Sequence, residues 1–312
     1  MQKIIQLKIQ GIKKLKPKYM KNLIKIMSTS ALALLVVGCQ DSIDKDNPPL
    51  DYTLGKYKTA NDVAKSSLLT HWALDGNGNE EFSGKAPSKE SNVTYETGIK
   101  GQCATFNVGY LMYPEIDKLS TINSSFTVAL WAKFKNNQST PTMLFSLTKP
   151  ETATPTNLHW AGSINIMSET GWYPDTELKQ VIKGYLVKNT GTGENGQDTR
   201  NNPGTGGVQD NLVAGTWTHY VIRYDASSEM FTVFANGVKI SNPDWELRKG
   251  TGNMTLFTPA KPLIGSFGSV ITGNAESWQK SMVGSIDEVR VYNAPLTNSE
   301  INTLYILEKK GL

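Results

Sequence analysis

Cysteine and histidine are scarce in this chain, at two and three residues among 312. Cys39 closes an apolar N-terminal segment and Cys103 stands alone in the body of the sequence, so no intrachain disulfide framework is expected. Cys103 sits among Ala104, Thr105 and Phe106, which predicts a small buried residue rather than a reactive thiol. Gly-x-Ser-x-Gly, His-Glu-x-x-His and Cys-x-x-Cys are all missing, so those hydrolase, metalloprotease and thiol-redox arrangements have no support. His71 and His219 fall on expected strands close to tryptophans and read as hydrogen-bonded sheet residues. No apolar run reaches the about 20 residues that a membrane-spanning helix needs. Basic residues are not clustered outside the N-terminus. Residues 1–39 hold eight of the 32 basic residues and no acid, which leaves 24 basic against 28 acidic and a net of −4. Nucleic acid is therefore not an expected partner. Long helical periodicity and internal repeats are absent as well.

What is present first is an address. Lys21 and Lys25 precede the apolar stretch Ala31 to Val37, which ends in Val36-Val37-Gly38-Cys39. This order resembles a bacterial lipobox, in which the chain is cut before the cysteine and its thiol receives diacylglycerol. Residues 1–39 are thus expected to be a lipoprotein signal, with Met20 as its true start and Cys39 as the lipidated residue. Gln40-Asp41-Ser42 is compatible with outer-membrane sorting, with the cell surface favoured over the periplasmic face. Residues 40–66 are polar and carry Pro48-Pro49, which predicts a flexible tether. Residues 67–312 form one domain.

Strand signals dominate that domain. Phe126, Val128, Leu130, Ala132 and Phe134 alternate with Thr127, Ala129, Trp131 and Lys133, and this period of two places one row on a core face. Phe231–Ala235 and Val238–Ile240 flank Asn236-Gly237, the pair that best tolerates the positive φ angles of a type I′ hairpin. Thr297-Asn298-Ser299-Glu300 reads as a capping box opening a short C-terminal helix. The pattern predicts an all-β fold, an antiparallel β-sandwich with one terminal helix.

Five stretches carry a family resemblance: His71–Asn77 as an opening strand and turn, Gly98–Phe106 as a second strand, Phe126–Phe134 as a third, Thr216–Asp225 with the Asn236-Gly237 hairpin as a central pair, and Gly284–Tyr305 as the closing strand and helix. In this order they resemble LamG-like domains of the concanavalin A-like lectin/glucanase superfamily. The resemblance implies a jelly-roll sandwich of two antiparallel sheets, and a binding role more often than a catalytic one. Residues 146–215 depart from the family pattern, being longer and rich in Gly, Asn and Trp; within them Gly191–Gly207 reads as a mobile loop.

The superfamily's glucanases set two or three acids on one strand as Glu-x-Asp-x-Glu or Glu-x-Asp-x-x-Glu; neither pattern is found here. Asp287 and Glu288 are adjacent, so regular alternation would send them to opposite faces. This argues against that hydrolase chemistry, which needs carboxyls about 5–5.5 Å apart. Family members often carry Asp in the first turn near a closing-strand acid, which implies a calcium site here of Asp75, Glu81 and Asp287. Trp72, Trp131 and Trp217 fall where the family packs its core. The remaining aromatics, Trp160, Trp172, Tyr173, Trp245 and Trp278, with His159, lie in polar, loop-like surroundings and are the expected carbohydrate-binding set. The resulting expectation is a lipid-anchored protein that captures a polysaccharide or glycoconjugate without cleaving it. The alternatives are an adhesion module that binds other cell-surface proteins, and a glycoside hydrolase.

Overall fold

The computed structural model describes residues 57–149, 160–169, 173–201 and 214–312. Among the described residues thirteen strands follow one another: β1 (Leu68–Trp72), β2 (Lys89–Thr97), β3 (Gln102–Met112), β4 (Phe126–Lys133), β5 (Thr142–Leu147), β6 (Ile164–Glu169), β7 (Val181–Asn189), β8 (Glu194–Arg200), β9 (Thr218–Asp225), β10 (Met230–Ala235), β11 (Val238–Lys239), β12 (Pro262–Ile264) and β13 (Met282–Tyr292). A helix, Asn298–Lys309, ends the chain.

The strands form one continuous antiparallel sheet in the order β11-β10-β9-β4-β13-β3-β12-β5-β6-β7-β8, with β1 beside β13 and β2 beside β3. The expected sandwich is therefore a single curled sheet, whose two layers are joined where short β12 bridges β3 and β5. The curl brings β7 and β8 over β10. Gly184 on β7 permits this approach, because a Cβ there would lie 2.7 Å from the Phe231 ring. The core between the layers takes Ile164, Ile166, Ile182 and Leu186 from one side and Ile222, Phe231 and Val233 from the other. The whole Phe126–Phe134 row is in it, as alternation predicts.

The hairpin at Asn236-Gly237 has φ of 50° and 81°, the left-handed pair of a type I′ turn. The capping box is formed: Thr297 Oγ1 accepts from Glu300 N, and Glu300 Oε2 accepts from Thr297 N at 2.8 Å. The helix lays Ile301, Leu304 and Leu307 on the outer face of the sheet, over Ala129, Val221 and Phe234.

Several expectations are corrected. The stretch Gly98–Gly101 is a turn, and the strand begins at Gln102. Within the run read as a mobile loop, Glu194–Arg200 is a strand fully paired with β7. The tether does not extend to residue 66: Ala60 and Val63 are buried beneath the helix, and Asn61 accepts hydrogen bonds from Arg290. Asp287 and Glu288 do not face opposite ways. The β4–β13 register shifts between Asp287 and Arg290, and Glu288 has φ 49°. This bulge keeps Ile286, Val289 and Val291 in the core and turns both acids to the other face.

Beside its apolar contact with the sheet the helix also closes over a polar cluster on the same face. Arg290 is fully buried; its Nη2 lies 2.6 Å from Glu288 Oε2 and its Nη1 donates to Glu308 Oε1. Glu308 Oε2 accepts from Trp131 Nε1 at 2.7 Å, and His71 Nε2 is 3.1 Å from Glu288 Oε2. His219 is buried against Trp131, and burial, helped by Arg290, pushes its imidazole down to about 3, so it stays neutral. His71 is hydrogen-bonded, as its surroundings in the sequence imply, whereas neither ring nitrogen of buried His219 makes a hydrogen bond.

Candidate functional site

A second outer face lies on β5, β6, β7 and β8; it is buried along β5 and β6 and partly exposed along β7 and β8. Because Ile164, Ile166, Ile182 and Leu186 point into the core, the alternate residues point out. Register sets Met167 beside Lys183, Asn165 beside Tyr185, Lys183 beside Arg200 and Tyr185 beside Asp198.

Three half-buried aromatics gather on this face. The Trp160 ring is 5.0 Å from Tyr185 and 5.7 Å from Trp278, the latter edge-on. Phe267 supports Trp278 at 5.5 Å from beneath, together with Met143 and Met167. Trp160 is held by buried Asn165. Its Oδ1 accepts from Gly162 N (2.9 Å) and Ser146 Oγ (2.8 Å); its Nδ2 donates to the carbonyls of Gly162 (2.8 Å) and Tyr185 (3.0 Å). One amide thus locks the turn that carries Trp160 to the strand that carries Tyr185. Gly162 is required there, since a Cβ would lie 2.6 Å from Ser146 Oγ and collide with the Leu147 carbonyl.

A charged belt adjoins the aromatics. Lys183 Nζ is 2.8 Å from Glu169 and 3.1 Å from Asp198, and sits 5.2 Å above the Tyr185 ring. Arg200 Nη1 is 3.1 Å from Glu169, and its guanidinium lies 3.9 Å over Trp245. The belt is balanced in charge and only partly exposed, so it offers fixed donors and acceptors beside apolar rings. Aromatic surface with a few oriented polar groups suits a ligand with both apolar faces and hydroxyls.

A family model for the concanavalin A-like lectin/glucanases superfamily, Laminin_G_3, matches residues 107–302. The chain belongs to that superfamily. No curated protein matches the sequence. Among solved structures, the botulinum neurotoxin serotype G binding domain matches with a TM-score of 0.52 at 10% identity, over 77% of this chain and 51% of that one. The serotype C1 binding domain matches with 0.51 at 11% identity, over 77% and 52%. This chain spans about half the length of those domains. Domain 4 of AbnA, a GH43 extracellular arabinanase from Geobacillus stearothermophilus solved with arabinotriose, matches with 0.47 at 20% identity, over 77% and 98%. The two neurotoxin-domain likenesses show the fold alone, and the superfamily rests on the family match.

On this superfamily fold the expected carbohydrate set divides. Trp160 and Trp278 come together, and Trp245 joins the same face through Arg200. Tyr173 lies elsewhere, on the loop whose carbonyls accept from Asn136, with Lys179 over its ring. His159 and Trp172 lie outside the described residues, as does Cys39. Trp72 and Trp131 are buried; Trp217, expected in the core, is half-buried just before β9 under Lys133.

The expected calcium ligands do not converge. Asp75 Oδ1 accepts from Gln102 N at 2.6 Å, while Asp287 Oδ2 accepts from Ile99 N at 2.8 Å and Lys100 N at 3.2 Å. Both acids grip the turn before β3 instead. Glu81 is exposed and does not join them, while its neighbour Glu80 is the buried acid, accepting from His71 N, Phe82 N and Ser83 N. Among the described residues no three His, Cys, Asp or Glu side chains are grouped to hold a metal. Burial, with Glu288 adding, pushes the Asp287 carboxyl up to about 8.

Sequence reasoning missed Tyr185, Lys183, Glu169, Asp198 and Arg200. They occupy alternate positions on β6, β7 and β8, and only the spacing of Lys183 and Tyr185 between Ile182, Gly184 and Leu186 hinted at an outward row.

Proposed function

We propose that this chain is a non-catalytic carbohydrate-binding protein, anchored by lipid on Cys39 to the outer membrane and facing outward, that holds a polysaccharide or glycoconjugate for neighbouring proteins. The observation that carries the reading is the Trp160–Tyr185–Trp278 cluster beside the belt of Lys183, Glu169, Asp198 and Arg200. A pyranose or furanose can lay its C–H face on such rings while its hydroxyls meet the belt. Membership of a lectin/glucanase superfamily supports the same reading. Anchoring rests on the lipobox-like Val36-Val37-Gly38-Cys39.

Affinity electrophoresis through gels containing plant, host and microbial polysaccharides tests it. At least one polymer should retard the protein, and Trp160→Ala should weaken that binding about five- to thirtyfold, as expected for an anchor worth roughly 1–2 kcal/mol. Retardation by none of them would overturn the proposal. A hydrolase reading rests on Glu169 and Asp198, which share Lys183; release of new reducing ends, abolished in Glu169→Gln, would favour it instead.

A further inference from the structure

A cavity of about 740 Å³ opens on β3, β4 and β13 and the loop before β5, lined by Lys133, Lys135, Lys280, Glu177, Val108 and Val283 among others. It adjoins the aromatic cluster: Lys280 follows Trp278 by two residues and bridges to Thr142, next to Met143, which packs with Phe267 and Trp278. Its volume is in the range of small-ligand pockets.

The charge inside is uneven. Glu177 is 2.8 Å from Lys135 and neutralises it. Lys133 sits 5.3 Å over the Trp217 ring, and Lys280 is exposed. Among the described residues neither makes an ion pair, so two cations remain uncompensated at one cavity. The apolar part is unusual too. Val108 and Val283 are 53% and 60% exposed, in neighbouring strands at a register shift. Val108 holds φ 54°, a conformation that β-branched residues avoid. Backbone strain of this kind gathers at ligand clamps. Two ammonium groups without an ion pair and two exposed aliphatic side chains suit a ligand unit with an anionic group on an otherwise C–H-rich body.

We infer that this cavity selects acidic glycans: it takes a carboxylate- or sulfate-bearing sugar unit of the same polymer whose neighbouring units lie on Trp160, Tyr185 and Trp278. The inference rests on the carbohydrate-binding reading above and names the ligand class. Lys133 and Lys280 hold the anion, and Val108 and Val283 meet the ring.

The test compares polygalacturonate, a sulfated glycosaminoglycan and a neutral arabinan or glucan by affinity electrophoresis and titration calorimetry. The proteins are the intact mature protein, Lys133→Gln/Lys280→Gln, and Trp160→Ala/Trp278→Ala. One of the two acidic polymers should bind at least about tenfold more tightly than the neutral ones, and which one does so separates carboxylate from sulfate. The preference should weaken with added salt, because the Debye length falls from about 8 Å at physiological ionic strength to about 3 Å at 1 M. Lys133→Gln/Lys280→Gln should abolish the preference and keep the wild-type melting temperature, whereas the tryptophan variant should weaken all binding. Neutral and acidic polymers bound equally, or a preference that survives in the lysine variant, would overturn the inference and leave the parent reading standing. No binding to any polymer would overturn both.

Discussion

Replacing Arg290 by methionine is the sharpest test of how this fold is held closed. The guanidinium is fully buried, with Nη2 at 2.6 Å from Glu288, Nη1 donating to Glu308, and Nε and Nη2 donating to Asn61 Oδ1 at 3.1 and 3.0 Å. It therefore ties β13 to the C-terminal helix and to the segment before β1. Methionine keeps most of the volume and removes the cation, leaving Glu288 as a buried carboxylate and depriving Glu308, which burial raises to about 7 even beside Arg290, of its partner. Breaking a buried ion pair from one side costs about 3–5 kcal/mol, a large part of a usual stability of about 5–15 kcal/mol. Urea unfolding should show the loss as a lower midpoint at unchanged slope. The pH dependence has a definite sign. Burial by itself raises the Glu288 carboxyl, but Arg290 with His71 and Lys100 outweighs it and holds the group below the usual range. Without Arg290 its folded value rises above the unfolded one. Stability from such a group is present at low pH and lost as pH climbs, so the deficit of Arg290→Met should shrink between about pH 8 and about pH 5. The triple variant Glu288→Gln/Arg290→Met/Glu308→Gln, which removes the charges together, should regain most of the loss. A loss below about 1 kcal/mol in Arg290→Met, or a triple variant no better than the single one, would refute this account.

Asp287→Asn should flatten part of the pH profile. With its folded value raised to about 8, wild-type Asp287 contributes stability that is full below about pH 4 and declines as pH rises through about 8, at about 1.4 kcal/mol per unit. The variant should lack that decline in urea titrations taken across the range, and an unchanged slope would count against the assignment. Val108→Asn should raise the melting temperature by a few degrees, because asparagine tolerates the left-handed φ of 54° that costs other residues about 1–2 kcal/mol, and little apolar burial is lost at an exposed site. Gly196→Ala should lower affinity for whatever polymer is bound. A Cβ there would lie 2.6 Å from Tyr185 Cζ and displace the ring from beside Trp160, while the melting temperature should change little on this outer face. An affinity equal to wild type in that variant would show that the Tyr185 position does not matter.

Several elements of the fold are legible because their signals are local. The alternating row from Phe126 to Phe134, the Asn236-Gly237 turn and the Thr297–Glu300 box each depend on neighbouring residues, and each is found where it was expected. Trp160 and Trp278 were legible as loop aromatics in polar surroundings. Tyr185 was not, because its strand lies in the 146–215 stretch that departs from the family pattern; the β7–β8 pairing spans Lys183–Asn189 and Glu194–Arg200 and comes from the ladder rather than from propensity.

By itself the sequence determined the all-β class, the superfamily, the helix at the end of the chain and the isolation of Cys103. The class, the helix and the isolation of Cys103 follow from periodicity, turn chemistry and composition, which act over a few residues, whereas the superfamily was read as a resemblance of five ordered stretches. Tertiary structure alone decided that the sheet is continuous and that a bulge at Glu288 turns two adjacent acids the same way. It also decided that these acids join a buried network and hold a turn. Tertiary structure alone brought Trp160, Tyr185 and Trp278 into one cluster. Such outcomes depend on register between strands distant in sequence, and a one-residue shift in register exchanges the two faces of a sheet.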